Sequence, residues 1–97
     1  MNEIDFDNFD MVCEICKKLA KEKNALYGVK NLTIFQGLGI TVRINDKIAR
    51  LNNLFNLDKT KQDNLISLGE TINDTILDLI NYGIYLYLHT NELLLKK

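Results

Sequence analysis

The sequence predicts an all-α protein of one domain, and two observations carry that prediction. Proline is absent and glycine occurs only five times in 97 residues, so few positions interrupt a helix. Apolar residues recur at intervals of three and four over three long stretches, which is the period of a helix. A chain of this length supplies one small core, so residues 1–97 are assigned to a single domain.

The composition excludes several classes of protein. A hydrophobic content of 46% and a charged content of 26% are typical of a folded, soluble chain. The net charge of −1 argues against a nucleic-acid polymer as partner. The opening "MNEIDFDNFD" is acidic and lacks an apolar run, so we expect no secretory signal, and no segment is apolar enough to span a membrane. We therefore expect a cytoplasmic protein.

The first predicted helix runs from about Asp7 to Asn24. One stripe of it is apolar, at positions 9, 12, 15, 16 and 19, while lysines keep the rest in water. Cys13 and Cys16 form a C-x-x-C within this helix, but a structural zinc site needs four ligands and His89 is the only other soft candidate. We expect the cysteines to pack in the core, and His89 to lie at a surface or interface.

Residues 25–39 mix glycine, aromatic and polar residues in a way that fits neither helix nor strand, so this segment is predicted to be an ordered loop. Its Tyr27, Phe35 and Gln36 are side chains of the kind that hold a nucleotide base. They are equally suited to filling a gap between helices, and the sequence leaves both interpretations open.

A second helix is predicted from about Ile40 to Asn56, followed by a polar connector over residues 58–64. A third is predicted to begin at a capping box, Ser67 to Glu70, and to end near Leu94. Apolar residues cover more than half the circumference of this third helix, so it needs more neighbours than two. We therefore predict three principal helices and a homo-oligomer, at least a dimer, built on the third.

Three acids form a column on the third helix, because Glu70, Asp74 and Asp78 are spaced i, i+4 and i+8. Carboxylates near a core need partners. One possibility is Mg²⁺, with Asp46 of the second helix as a further ligand. A second is an ion-pair ladder with the basic residues of that helix, and a third is phosphate binding by those basic residues without chemistry. The basic residues are Arg43, Lys47 and Arg50.

Two stretches resemble a known family. They are "YGVKNLTIFQGLGITVRINDKIARLNNL" and "GETINDTILDLINYG", with a Y-G loop, a D-K-x-x-R-L helix and an E-x-x-x-D-T-x-L-D-L-x-N-Y helix. Over about residues 25–85 the chain resembles the nucleotide-modification-associated domain of phage and bacterial proteins. That family is related to the MazG-like all-α nucleoside triphosphate pyrophosphatases.

The resemblance implies an all-α, three-helix MazG-like bundle completed by oligomerisation, a nucleotide ligand, and Mg²⁺ held by helix carboxylates. It places Glu70 and Asp74 at the family's acidic pair and Asn81 at a position that is often polar. It also implies a bacterial cell or a phage-infected host. The chain departs from the pattern on the second helix, where Arg43-x-x-Asp46 replaces E-x-x-E. A cation in place of a carboxylate weakens metal binding and favours phosphate binding.

Three functions follow as hypotheses: a Mg²⁺-dependent nucleoside triphosphate pyrophosphohydrolase or a degenerate relative, a phage-type protein that sequesters a nucleotide signal of host defence, and a structural oligomerisation module. The predicted catalytic residues are Asp46, Glu70 and Asp74, and the same three with Asp78 are the predicted metal ligands. The predicted substrate-binding residues are Tyr27, Phe35, Gln36, Arg43, Lys47, Arg50, Asn81 and Tyr85.

Overall fold

The computed structural model describes residues 2–66 and 71–97, and over these residues the regular structure is entirely helical. In chain order the helices are α1 Phe6–Tyr27, α2 Lys30–Thr33, α3 Gln36–Asn56, α4 Lys59–Ile66 and α5 Ile72–Thr90. The all-α prediction is confirmed: the described residues contain the three long helices expected, and two short ones besides. No helix in this part of the chain has both the length and the apolar character to cross a membrane.

Helix α1 begins and ends at residues suited to those positions. The Asp5 carboxylate accepts from the backbone N–H groups of Asp7 and Asn8 at 3.0 and 3.1 Å, which satisfies two donors of the first turn. The helix ends at Gly28, whose φ of 68° and ψ of −167° are open to glycine but strained for other residues. Gly28 therefore sets the direction in which the chain leaves α1.

The prediction of a loop over residues 25–39 is wrong, because this segment contains the end of α1, all of α2 and the start of α3. Helix α3 begins at Gln36, whose φ of 51° is not helical and so separates α3 from α2. Gly39 lies inside α3, where a Cβ would come within 2.9 Å of Phe35 Cβ. This glycine thus permits close packing within a helical segment, a role that sequence alone does not distinguish from loop formation.

The polar connector predicted over residues 58–64 is also wrong, because helix α4 occupies most of it. Asp58 accepts from the backbone N–H of Lys61 at 2.9 Å, as a helix-capping residue does. The Gln62 amide donates to the carbonyls of Leu54 and Leu57, each at 2.9 Å, and so satisfies the end of α3. The sequence of α4 has no apolar stripe from which a helix could be predicted. The capping contact of Asp58 and the amide contacts of Gln62 stabilise this helix instead.

Helix α5 is shorter than predicted. Its N-cap is Thr71, whose hydroxyl accepts from the Asp74 N–H at 3.0 Å, so the helix begins at Ile72. The predicted capping box, Ser67 to Glu70, lies outside the described residues. At the other end the helix stops at Thr90 rather than Leu94, because Glu92 takes a φ of 59° and turns the chain away.

The core is small and lies mainly between α3 and α5, which form the most extensive helix pair. Its buried apolar residues are Cys16, Leu32, Ile40 and Leu54. Helix α5 adds two buried polar residues, Thr75 and Asn81, and the Asn81 amide donates to the Cys16 carbonyl at 3.0 Å, which joins α5 to α1. Cys16 is buried as predicted, whereas Cys13 is exposed, so the expectation of core packing fails for Cys13.

Candidate functional site

A cleft of about 550 Å³ lies where the end of α1, the Gly28 turn and α2 face α3 and α5. It is formed by contributions from four helices, which the chain brings together from positions 23 to 85. Its lining residues are Lys23, Asn24, Tyr27, Gly28, Lys30, Asn31, Leu32, Arg43, Lys47, Asp78, Asn81, Tyr82 and Tyr85. Volumes of this size are typical of small-molecule sites.

The cleft is basic although the chain as a whole carries a net charge of −1. Among the described residues it is lined by four cations, Lys23, Lys30, Arg43 and Lys47, and by one carboxylate, that of Asp78. Cations gathered in a concave surface raise the local positive potential and attract anions. The electrostatic character of the cleft is therefore opposite to that of the whole molecule.

Asp78 stands between two of these cations. One carboxylate oxygen is paired with the Lys23 ammonium of α1, and the other lies 3.2 Å from the Lys47 ammonium of α3. The side chains of Asp78 and Lys47 are each only 16% exposed, so water screens this pair less than an exposed one. Within the acidic column, Asp78 is therefore paired with basic residues of two neighbouring helices, α1 and α3.

Arg43 fixes the position of the short helix α2 against α3. Its Nε donates to the backbone carbonyl of Asn31 at 3.2 Å. A guanidinium has five N–H donors in a planar fork, and this contact uses one of them. Arg43 therefore both orders the cleft wall and presents further donors suited to an anion with several oxygens.

Three tyrosines supply aromatic surface. Tyr82 and Tyr85 pack edge to face with ring centroids 6.1 Å apart, and Tyr27 lies exposed at the end of α1. Burial, followed by the nearby Tyr82, raises the pKa of the Tyr85 hydroxyl, Asp78 acts in the same direction and Lys23 opposes them. Tyr85 is accordingly a neutral hydrogen-bond donor and acceptor at physiological pH.

An asparagine in the cleft has an unsatisfied acceptor. The Asn31 side-chain oxygen is buried and has no hydrogen-bond partner among the described residues. Leaving a buried acceptor unpaired costs about 1–3 kcal/mol, so such an atom favours a donor from a bound molecule. Asn24 and Asn81 add amide groups to the same lining.

The structure brings some of the predicted site residues together and separates others. The cleft contains Tyr27, Arg43, Lys47, Asp78, Asn81 and Tyr85. Phe35, Gln36, Asp46 and Arg50 are exposed and do not line it. Asp74 lies at a second cleft between α3, α4 and the start of α5, where the Thr71 hydroxyl donates to its carboxylate. Glu70 lies outside the described residues.

The described residues do not fit the Mg²⁺ site that the family resemblance implies. Asp46 is exposed on α3, Asp74 is engaged by Thr71, and Asp78 is engaged by two lysines. Within residues 2–66 and 71–97, no three His, Cys, Asp or Glu side chains lie close enough together to hold a metal ion. Mg²⁺ requires several oxygens around one point. The described carboxylates do not supply such a group of oxygens.

Sequence reasoning missed seven of the lining residues: Lys23, Asn24, Gly28, Lys30, Asn31, Leu32 and Tyr82. Four of them flank the Tyr27-Gly28 dipeptide in "KEKNALYGVKN", a segment rich in lysine and asparagine. This local density of basic and amide groups is the feature of the sequence that indicates a binding site there. The sequence does not show that α2 packs against α3, however, and without that knowledge the lysines are interpreted only as a solvent-exposed helix face.

Comparisons with protein-family models, with curated proteins and with solved structures found no match to this chain. The resemblance to the nucleotide-modification-associated domain therefore remains a prediction, and the function is inferred from the cleft itself.

Proposed function

We propose that this protein binds a nucleotide in the cleft between α1, α2, α3 and α5. The observation that carries the proposal is the grouping of four cations with three tyrosines around one cavity of about 550 Å³. Phosphate groups are bound by lysine and arginine through charge-assisted hydrogen bonds, and a base stacks on or packs against aromatic rings. A nucleotide joins both kinds of group in one small molecule.

The arrangement of the phosphates follows from the partners that the cations already have. Lys23 and Lys47 are paired with Asp78, whereas Lys30 is exposed and has no ion-pair partner among the described residues. Arg43 has donors beyond its contact with Asn31. We therefore expect an entering phosphate to contact Lys30 and Arg43 first, because the charges of Lys23 and Lys47 are already paired with Asp78.

Binding without turnover is the form of this function that the residues support best. Among the described lining residues the one carboxylate, that of Asp78, is held by two lysines, so it is poorly placed to act as a general base or as a metal ligand. We therefore favour the nucleotide-sequestering function over the pyrophosphohydrolase. Sequestration requires affinity and shape, and no catalytic group.

We further propose that the protein assembles at least into a dimer. Its accessible surface is 7837 Å², whereas a compact monomer of this mass exposes about 5,700 Å². Large apolar side chains are exposed on α5 as well as on α1 and α3, among them Ile80, Ile84 and Tyr87. The excess, about 2,100 Å² per chain, is on the scale that homodimer interfaces cover.

A screen of nucleoside triphosphates tests the proposed function, with thermal shift and pyrophosphate release read on the same samples. We expect stabilisation by at least one nucleotide, equal in Mg²⁺ and in EDTA, with no release of pyrophosphate. Release that depends on Mg²⁺ would favour the pyrophosphohydrolase. Absence of a thermal shift with every nucleoside triphosphate in the screen would contradict nucleotide binding and favour the structural oligomerisation module.

A further inference from the structure

We propose that Asn81 selects nucleotides by their base, because its side-chain oxygen accepts a hydrogen bond from an exocyclic amino group. This inference rests on the proposed function, since it concerns the ligand of the same cleft. It narrows the ligand class. Nucleotides of adenine, cytosine or guanine, whose bases carry an amino group, are bound more tightly than those of uracil or hypoxanthine, whose bases carry none.

The orientation of the Asn81 amide is fixed by its contact with α1. Its Nδ2 donates to the backbone carbonyl of Cys16 at 3.0 Å, and a carbonyl oxygen can only accept. The amide nitrogen therefore points toward α1, and the amide oxygen, Oδ1, points away from that carbonyl. Asn81 is only 6% exposed, so the surrounding residues hold the amide in this orientation. The side chain thus presents an acceptor at a defined position.

The Oδ1 atom of Asn81 is available to a ligand. None of the described residues donates to it, and unlike the buried Asn31 oxygen it retains contact with solvent. Because Asn81 lines the cleft, a donor on a molecule bound there can reach this oxygen. Most of Asn81 is buried, so we expect a group that projects from a ring to reach it more easily than the ring edge. An exocyclic amino group projects in this way.

Two tyrosines of the same helix place a base beside Asn81. Tyr85 lies one turn after Asn81 on the same face of α5, Tyr82 follows Asn81 directly in the chain, and both line the cleft. Their rings are 6.1 Å apart between centroids and offer an aromatic surface to which any base can pack, since every base has a π face. Packing on the tyrosines therefore holds the base, and the contact with Asn81 distinguishes one base from another.

Matched pairs of nucleotides test this inference on the unmodified chain. The pairs are ATP with purine riboside triphosphate, GTP with inosine triphosphate, and CTP with UTP. The first two pairs differ only by an amino group, and the third exchanges an amino group for a carbonyl oxygen. In the pair that contains the tightest-binding nucleotide, calorimetric titration should show that the amino member binds about tenfold more tightly, the scale of one hydrogen bond to a buried acceptor.

The outcomes of this titration separate the inference from the proposed function. Equal affinities in that pair, or tighter binding of the member without the amino group, would overturn the role of Asn81 and leave nucleotide binding intact. If none of the six nucleotides binds, the proposed function itself fails, and the inference with it.

Substitution of Asn81 assigns the preference to a residue. Asn81→Ala removes the acceptor, so the ratio of the two affinities should fall to about one through weaker binding of the amino member. The matched control is Asn53→Ala, an exposed position of α3 outside the cleft, which should keep the ratio of the original chain. If Asn31→Ala removes the preference and Asn81→Ala does not, the amino group binds Asn31 and the role of Asn81 is wrong.

A measurement on the original chain covers the case in which Asn81→Ala fails to fold, since Asn81 also joins α5 to α1. The side-chain carbonyl carbon resonance of Asn81 should shift at saturation with the amino member of the pair, because its oxygen then accepts a hydrogen bond. Saturation with the other member should leave that resonance nearly in place. Equal shifts with both members would contradict the contact between Asn81 and the amino group.

Discussion

At the residue scale, the cleft contains cations in two different states. Lys23 and Lys47 hold a carboxylate and contribute to joining α1, α3 and α5, so replacing either one changes both binding and stability. Lys30 is exposed and lines the cleft without an ion pair among the described residues. Lys30 is therefore the position at which binding can be tested with the least effect on the fold.

The first prediction is that Lys30→Gln weakens binding of a nucleoside triphosphate about fivefold to tenfold, a discounted value for one charged hydrogen bond at an exposed site. The control is Lys18→Gln, an exposed lysine of α1 outside the cleft. Calorimetric titration measures both affinities, and thermal melting of the free proteins should be unchanged. Equal affinities in the two variants would contradict a phosphate site at Lys30.

The second prediction concerns Tyr85 and alkaline pH. Burial raises the pKa of its hydroxyl above the ordinary value of 10.0. The unfolded chain therefore releases this proton at a lower pH than the folded chain, and folding stability falls as the pH rises above about 10. Below that pH the proton is bound in both states and Tyr85 contributes no pH dependence.

Tyr85→Phe removes this contribution, so the variant should lose less stability than the original chain between about pH 9 and pH 11. Urea unfolding at a series of pH values measures the difference, and Tyr87→Phe, at an exposed position of the same helix, is the control. Parallel pH profiles for Tyr85→Phe and the original chain would show that folding does not raise the pKa of the Tyr85 hydroxyl.

At the element scale, the cleft depends on the turn between α1 and α2. Gly28 ends α1 in a conformation that suits glycine alone, and α2 then packs so that the Asn31 carbonyl accepts from Arg43 of α3. The two walls of the cleft are thus joined through one backbone position and one hydrogen bond. A change at Gly28 should affect stability and binding together.

The third prediction compares two glycines. Gly28→Ala should destabilise the protein by about 1–3 kcal/mol, because an alanine is strained at a φ of 68°, and it should weaken nucleotide binding. Gly83→Ala, inside α5 with open space around a new Cβ, should leave stability unchanged or raise it by up to about 1 kcal/mol. Urea unfolding of both variants measures this contrast, and equal stabilities would show that the turn at Gly28 relaxes without strain.

At the scale of the whole molecule, the fold is open for its length. The radius of gyration is 15.2 Å, whereas a compact chain of this length has about 12.5 Å. The first turns of α1 illustrate the reason, since Phe6 and Phe9 pack against each other while remaining more than half exposed. An apolar surface of this extent favours association with further copies of the chain.

The fourth prediction is that the protein is at least a dimer at micromolar concentration and that Ile84→Glu shifts it toward the monomer. Ile84 is 48% exposed on α5, so a glutamate there is harmless in a monomer but repels a copy packed on the same face. Light scattering coupled to size-exclusion chromatography measures the mass. A stable monomer of the original chain would contradict the dimer, and a dimer unaffected by Ile84→Glu would place the interface elsewhere.

The sequence by itself determined the helical class and the three long helices, because helical periodicity and the absence of proline act locally. It also identified six residues that line the cleft, among them Arg43 and Lys47, which lie one turn apart on α3 and so face the same way. It misplaced residues 25–39, where Gly39 lies inside α3 rather than in a loop, and residues 58–64, where Asp58 caps the short helix α4.

Only the tertiary structure decided the partners of the acidic residues. Asp74 and Asp78 occupy one column on α5, yet Asp74 contacts Thr71 at the start of its own helix while Asp78 meets lysines of α1 and α3. Spacing along a helix fixes which side chains share a face, but the charge that meets them depends on how other helices cross it. Lys23 lies 55 positions before Asp78 in the chain, and that separation is closed only by the packing of α1 against α5.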